Sequence, residues 1–117
     1  MSVIIAGSRD LEITVEELDL IIKESGLEIK ELLNGFCKTG IDSVALKWSL
    51  KNNIETKLFE AQWSLYGLSA GPRRNRAMAE QATALIAIYK KDKLGPGTKN
   101  MIDLATKRKL IIFIKII

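Results

Sequence analysis

The chain has 117 residues, enough for one domain with a buried core. Its 18 basic and 14 acidic residues leave a net charge of +4, which favours anionic partners without selecting nucleic acid over a small phosphorylated molecule. Histidine is absent, which excludes Ser-His-Asp triads, Cys-His dyads and histidine zinc sites built from this chain alone. We expect neither a metal nor a cofactor. A single cysteine, no secretory signal and no apolar run long enough to span a membrane indicate a cytoplasmic protein without membrane contact.

Short apolar runs alternate with helical periodicities along the chain. The apolar runs predict five strands, at residues 3–6, 29–33, 56–59, 84–89 and 110–117. The periodicities predict four helices: one capped by Thr14 with Glu17, one beginning near Asp42, one beginning in the stretch 70–78, and one capped by Thr98. Alternation at this spacing is typical of parallel strands joined by right-handed crossovers. We therefore expect a single α/β domain over residues 1–117, a Rossmann-like doubly wound parallel sheet of about five strands with helices on both faces.

The last predicted strand, Leu-Ile-Ile-Phe-Ile-Lys-Ile-Ile, is apolar almost without a break. A central position in the sheet would explain this composition, whereas the more polar third strand is expected nearer the edge. Because a small domain leaves little room to hide such a segment, we also expect self-association as a homodimer or a higher homo-oligomer, most simply a two-fold dimer.

Residues 70–78, Ala-Gly-Pro-Arg-Arg-Asn-Arg-Ala-Met, place three arginines directly after a Gly-Pro turn. A helix start here would present unpaired backbone N–H groups and the positive end of the helix dipole beside those arginines. Such an end binds anions. The alternative interpretation is a solvated basic face, which applies to Arg73 and Arg76 in particular, while Arg74 and Arg9 are the strongest candidates for ligand contact.

Glycines gather at one edge of the predicted sheet. The turns expected at the carboxyl ends of the strands are GSRD, NGFCKTGID, AQWSLYGLSAGPRRN and LGPGT, and each contains glycine, whereas the connections at the opposite edge contain one among them. Ligands of open α/β sheets bind outside the carboxyl ends of the strands, and glycine lets the backbone approach them closely. The asymmetry therefore favours a cradle for a phosphate or a nucleotide. Because G-x-G-x-x-G and Walker A motifs are both absent, neither a dinucleotide domain nor a P-loop domain is indicated.

The segments VIIAGSRD, NGFCKTGID, QWSLYGLSAGPRRNRAM and GPGTKNMIDLA, in this order, resemble the YspA-like branch of the SLOG superfamily. That superfamily includes the LOG phosphoribohydrolases and the DNA-uptake protein DprA. The resemblance covers nearly the whole chain and implies a Rossmann-like fold that binds a nucleotide or a nucleotide derivative. Arg74 lies in the family pattern G-P-x-R-N-x-x-M and is similar to the catalytic arginine of LOG enzymes. The glutamate of the LOG motif P-G-G-x-G-T-x-x-E falls at Met101, and Phe36 stands where the family usually has a second glycine.

The resemblance implies ligand contacts from matching residues of the glycine turns. These are Gly7, Ser8, Arg9, Gly35, Thr39, Gly40, Asp42, Gly71, Pro72, Arg74, Asn75, Gly97 and Thr98. Gly95 belongs to the last of these turns. Trp63 or Tyr66 is expected to stack on a base or to close the pocket.

Three functions stay open at this stage. Loss of the LOG glutamate favours a non-catalytic module that senses or sequesters a nucleotide-derived molecule. A LOG-like enzyme that cleaves the N-glycosidic bond of a nucleoside monophosphate would need Arg74, with Asp42 or Asp103 in place of the missing glutamate. Nucleic-acid binding in the manner of DprA is the least favoured, because the basic residues are interspersed with acids and the net charge is low. That function would use Arg73, Arg76, Lys90, Lys91 and Lys93.

Overall fold

A computed structural model describes all residues, 1–117. The strands are β1 (Ser2–Gly7), β2 (Glu31–Asn34), β3 (Glu55–Leu58), β4 (Ala84–Tyr89) and β5 (Ile111–Ile116). The helices are α1 (Val15–Ser25), α2 (Gly40–Lys51), the single turn α3 (Trp63–Tyr66), α4 (Ala70–Gln81) and α5 (Pro96–Lys107). A 3₁₀ turn, Gly67–Ser69, joins α3 to α4.

All five strands are parallel, and they lie in the order β3-β2-β1-β4-β5. Helices α1 and α2 cover one face of the sheet, and α4 and α5 cover the other. The predicted fold, a Rossmann-like doubly wound sheet with helices on both faces, is therefore confirmed. The order of strands reverses between β1 and β4, which places the topological switch point in the middle of the sheet.

The central strands are buried on both faces, which explains their unbroken apolar sequences. In β1, Val3 and Ile5 pack with α1 and α2, while Ile4 between them packs with α4 and α5. None of the three side chains exposes more than 1% of its surface. Parallel sheets covered on both sides require this continuous apolar pattern instead of alternation.

The predicted start of α1 is confirmed in detail. Thr14 Oγ1 accepts a hydrogen bond from the Glu17 N–H at 3.0 Å, and Glu17 Oε1 accepts one from the Thr14 N–H at 3.1 Å. This capping box satisfies two backbone donors that lack partners inside the helix. Gly26 ends the helix in a left-handed conformation with φ of 71°, as its position after the last apolar residue predicts.

The expectation of a central last strand is wrong. β5 forms the outer edge of the sheet beyond β4 and is only partly covered, with Ile111, Ile114 and Ile116 exposed. Apolar composition indicates burial or association, but it does not fix a strand's place in the order of the sheet. The expectation that the third strand lies at the edge is confirmed, since β3 forms the other edge.

α4 begins inside the predicted stretch 70–78 but without the separate Gly-Pro turn expected before it, and the predicted start of α5 is displaced. α4 begins at Ala70, so Gly71 and Pro72 lie inside its first turn, where a proline costs no intrahelical hydrogen bond. The arginines that follow therefore project from the body of the helix, not from its N-terminal end. In α5 the N-cap is Gly95 with Pro96 as the first helical residue, and Thr98 occupies the third helical position instead of the cap.

The helices of this fold are short. None of them combines the length and the apolar character that crossing a membrane would require.

Candidate ligand-binding site

A cavity of about 670 Å³ opens at the carboxyl ends of the strands, beside the switch point between β1 and β4. The turn after β1, the turn after β2, helix α4 and the N-terminal turn of α5 contribute its walls. All but three of the residues predicted to contact a ligand line this cavity; the exceptions are Thr39, Gly40 and Tyr66. The glycine turns therefore do converge on one place, as the asymmetry of the sequence predicts.

Gly40 has a structural reason to be glycine. It begins α2 with a φ of +66°, and a Cβ there would collide with the carbonyl groups of Ser8 and Arg9. The next residue, Ile41, donates its N–H to the Ser8 carbonyl oxygen at 3.2 Å. The start of α2 is thus held directly against the turn that follows β1, and Gly40 shapes the cavity wall without lining it.

Arg74 projects from α4 into the cavity and is anchored there from two sides. Its Nη1 donates to the Gly35 carbonyl oxygen at 2.6 Å, and its Nε donates to Asn75 Oδ1 at 2.9 Å. The side chain is half-buried, and this burial lowers the pKa of Arg74 from its ordinary value, while Asp42 acts in the opposite direction. Because an arginine guanidinium is not deprotonated in proteins, the cavity holds a fixed cation.

Asp42, in the first turn of α2, lies close to that cation. Its Oδ2 accepts a hydrogen bond from the Cys37 N–H at 3.1 Å, but it forms no ion pair with Arg74. Burial raises the pKa of Asp42, and the Cys37 hydrogen bond and the charges of Arg74 and Arg9 oppose that rise. A half-buried carboxyl group beside cations is the type of group that functional sites use for proton transfer or for hydrogen bonding.

Gly35 makes the approach of these two groups possible. A Cβ at this position would lie 2.9 Å from Asp42 Oδ2 and 3.0 Å from Arg74 Nη1. The next residue, Phe36, has a φ of 58°, in the left-handed region that glycine adopts without strain. Its N–H bonds to Asn34 Oδ1 at 2.7 Å, which supports this conformation. Phe36 lies outside the cavity lining, so it does not plug the cavity.

Asn75 is buried and joins α4 to α5. Its Nδ2 donates to the Gly97 carbonyl oxygen at 3.3 Å and to Asn100 Oδ1 at 3.0 Å, while its Oδ1 accepts from Arg74. One amide group therefore fixes both the Arg74 guanidinium and the beginning of α5. The motif resemblance includes Asn75, but this bridging role depends on Asn100, which no sequence signal marked.

The N-terminal turn of α5 lines the same cavity and has free backbone donors. Gly97 and Thr98 lie at the second and third helical positions, and the first intrahelical bond runs from Lys99 N–H to the Gly95 carbonyl oxygen at 3.0 Å. The N–H groups of Gly97 and Thr98 consequently have no partner in the helix. Thr98 is only 7% exposed, lines the cavity and makes no side-chain hydrogen bond inside the protein. Every fully buried side-chain N or O atom of the protein has a hydrogen-bond partner, and the Thr98 hydroxyl has none. The hydroxyl is therefore not fully buried and is accessible from the cavity.

Of the two aromatic residues predicted to stack on a base, only Trp63 lines the cavity. Its ring packs against Gly71 and lies 5.9 Å from the guanidinium carbon of Arg9. Tyr66 instead stacks with the Arg73 guanidinium, 4.1 Å from the ring centroid, outside the cavity. Arg73 thus belongs to the exposed face of α4, which agrees with the interpretation of Arg73 and Arg76 as surface residues.

The two carboxylates considered as replacements for a catalytic glutamate lie in different places. Asp42 lines the cavity, whereas Asp103 is exposed outside it and pairs with Lys99 at 2.9 Å. Met101, at the position of the glutamate, is buried and forms part of the cavity floor. Leu68 also lines the cavity, and no sequence pattern singled it out; Lys93, which the sequence suggested only for nucleic-acid binding, lines the cavity too.

Comparison of the chain with models of protein families, with curated proteins and with solved structures found no match in any of the three. The resemblance to the SLOG superfamily therefore stays a prediction from sequence motifs.

Proposed function

We propose that this protein binds a phosphorylated, nucleotide-type small molecule in the cavity at the carboxyl ends of β1 and β4. It would act as a sensor or as a sequestering module. The observation that carries this proposal is the pairing of two anion-binding elements in one cavity, the anchored Arg74 guanidinium and the N-terminal turn of α5 with the unpartnered Thr98 hydroxyl.

Both elements have donors left for a ligand. A guanidinium carries five N–H groups, and the protein uses one on Nε and one on Nη1 of Arg74, so the remaining ones can bind phosphate oxygens. The α5 turn offers the N–H groups of Gly97 and Thr98 together with the Thr98 hydroxyl, in the arrangement that helix N-termini use for phosphate.

The shape of the cavity suits a nucleotide better than a bare phosphate. A volume of about 670 Å³ lies within the range of small-molecule sites. The Trp63 ring, half-exposed at the wall, can stack on a base or cover a sugar. Arg9, Arg74 and Lys93 outnumber the acidic Asp10 and Asp42 in the lining, which favours an anionic ligand.

Isothermal titration calorimetry with a panel of nucleoside mono-, di- and triphosphates, dinucleotides and cyclic ADP-ribose-type molecules tests the proposal. We expect at least one to bind, and we expect Arg74→Gln to weaken that binding about 10- to 100-fold, because a charge-assisted hydrogen bond contributes about 1.5–3 kcal/mol. Arg76→Gln is the matched control, since Arg76 is exposed on the same helix and should leave the affinity unchanged. Absence of binding across the panel would contradict the proposal.

Asp42 supports a second candidate, cleavage of the N-glycosidic bond of a nucleoside monophosphate. Burial raises the pKa of this carboxyl, which favours a protonated group able to donate to a leaving base, beside a cation able to hold phosphate. Release of free base from nucleoside monophosphates, followed by chromatography and lost in both Asp42→Asn and Arg74→Ala, would establish this activity. If binding occurs without base release, the protein is a binding module.

The motif order supports assignment to the YspA-like branch of the SLOG superfamily, and it is part of this proposal. The segments that carry the resemblance, including the stretch 70–78 and the turn Gly95–Thr98, lie around the cavity. A cytoplasmic location and self-association are proposed with it.

A further inference from the structure

The two edges of the sheet differ in a way that matters for association. β3 is a four-residue edge strand with the charged residues Glu55 and Lys57, features that discourage pairing with another chain. β5 is a six-residue edge strand without proline, and Lys115 is its only charged residue. Natural proteins usually protect an edge strand of this length and composition with several charged residues, proline or a bulge, and β5 has no such protection.

The hydrogen bonds of β5 show which backbone groups are free. Ile111 N–H donates to Thr83 O at 3.1 Å and Ile117 N–H donates to Tyr89 O at 2.9 Å, so odd-numbered residues bond toward β4. In a parallel ladder the residues between them direct their N–H and C=O groups the other way. Those outward residues are Ile112, Ile114 and Ile116.

The side chains along this edge are apolar and unusually exposed. Ile114 and Ile116 expose 42% and 52% of their surface on the α5 face, and Ile111 exposes 50% on the α1 face. The single charge is compensated, since Lys115 Nζ bonds to both carboxylate oxygens of Glu24 at 3.0 and 3.1 Å.

We propose that β5 pairs antiparallel with β5 of a second copy of this chain, about a two-fold axis at Ile114. In this register Ile114 faces Ile114 of the second copy, and Ile112 faces Ile116 of the second copy. Every outward N–H and C=O of the strand then finds a partner. Two five-stranded sheets become one continuous sheet.

Neighbouring registers are less favourable. Centring the axis on Lys115 would place the two lysines directly opposite each other. Centring it on Phe113 would set the Ile116 carbonyl oxygen opposite the Leu110 N–H, which already donates to Ala105 O at 3.0 Å. The register centred on Ile114 avoids both problems.

The size of the surface fixes the expected strength. A six-residue ladder flanked by a few apolar side chains is smaller than the interface of about 1,600 Å² typical of stable complexes. The dimer is therefore expected to dissociate in the micromolar range, on the order of 10–100 µM. Its cavities lie at opposite ends of the joined sheet, because the strands of the two copies run in opposite directions, so neither site shares residues with the other.

Light scattering and sedimentation equilibrium over about 5–500 µM protein test the association. We expect a concentration-dependent rise toward twice the chain mass of 13.0 kDa. Ile114→Lys should abolish the rise, whereas Leu50→Lys, which also replaces an exposed aliphatic residue but on α2, should keep it. A wild-type protein that stays monomeric throughout, or equal loss of association in both variants, would overturn the proposal.

Single cysteines in a Cys37→Ser background test the register and do not depend on a lysine variant that folds. Ile114→Cys would meet its own copy at a Cα separation of about 5.5 Å, which suits a disulfide. Ile116→Cys would lie about 14 Å from its own copy, at about 3.4 Å per residue, and should not form one. Oxidation should therefore cross-link Ile114→Cys at least tenfold faster than Ile116→Cys on a non-reducing gel, and equal rates would overturn the register.

Discussion

Arg74 in α4 donates a 2.6 Å hydrogen bond to the carbonyl oxygen of Gly35, 39 residues earlier in the chain at the end of β2. This contact holds a cation above the switch point of the sheet, on the side where Asp42 and the α5 turn also lie. It depends on the absence of a side chain at Gly35, so the geometry of the site can be tested by adding a single methyl group.

Gly35→Ala should weaken ligand binding about tenfold or more, because the new Cβ would lie 2.9–3.0 Å from Asp42 Oδ2 and Arg74 Nη1 and would push them apart. Calorimetry with the best ligand of the panel measures this loss. Gly95→Ala is the control for adding a methyl at the cavity rim, since nothing lies within 4 Å of its Cβ. Equal affinities for Gly35→Ala and wild type would show that ligand binding does not depend on the present position of Arg74.

Thr98→Val should weaken binding of a phosphorylated ligand about 3- to 30-fold while leaving thermal stability nearly unchanged. The substitution keeps the shape of the side chain and removes a hydroxyl that makes no hydrogen bond inside the protein. Thr106→Val in the same helix is the control, because that exposed hydroxyl bonds to the Ile102 carbonyl oxygen, remote from the cavity. An unchanged affinity in Thr98→Val would remove the α5 turn from the ligand site.

Asn75→Ala should lower the free energy of unfolding by about 1–3 kcal/mol, since it removes a buried amide and leaves Gly97, Asn100 and Arg74 without their hydrogen bonds to it. Chemical denaturation measures the change. Ser69→Ala, which removes an exposed hydrogen bond to Arg73 Nε, should cost less than about 0.5 kcal/mol. Similar losses in the two variants would contradict the role given to the buried amide.

The stability of the protein should depend on pH through Asp42. Burial raises the folded-state pKa of Asp42 above its ordinary value of 3.8, so the folded protein retains this proton at pH values where the unfolded chain has lost it. The contribution of this group therefore favours folding at low pH and declines as the pH rises from 3.8 through the raised value.

Asp42→Asn should remove that decline and make the unfolding free energy less dependent on pH in this range. Denaturation curves recorded from about pH 3 to pH 8 for both proteins measure the difference. Asp103→Asn is the control, because Asp103 is an exposed carboxylate that forms a surface salt bridge with Lys99. A wild-type stability that rises with pH relative to Asp42→Asn would contradict the assigned direction.

Local chemistry explains the parts of the fold that the sequence predicts correctly. Val3, Ile4 and Ile5 must be buried on two faces if they form a strand, and Thr14 with Glu17 can satisfy two donors only at a helix start. Glycines in the turns after the strands must meet at one edge once the strands are parallel. These statements need only neighbours in sequence, and the structure agrees with each of them.

Long-range contacts determine the parts of the fold that the sequence does not predict. Whether β5 is a central strand or the edge strand next to β4 depends on the path of the chain through α5. The apolar sequence of β5 is compatible with both positions. From the sequence alone, Gly71 and Pro72 predict a turn. Both residues also fit the first turn of a helix, but this interpretation requires knowing that the helix begins at Ala70. Tyr66 faces away from the cavity because α3 turns it toward Arg73, a contact that spacing alone does not indicate.

The amide of Asn75 holds the Arg74 guanidinium on one side and the Gly97 carbonyl on the other. The distance between the cation and the helix terminus is consequently fixed. It cannot increase without breaking a hydrogen bond of the buried Asn75 amide. If the proposed function holds, a ligand that spans both would be selected by the length between its anionic group and its second polar end. Molecules of the right chemistry but the wrong length would engage one end only and dissociate quickly.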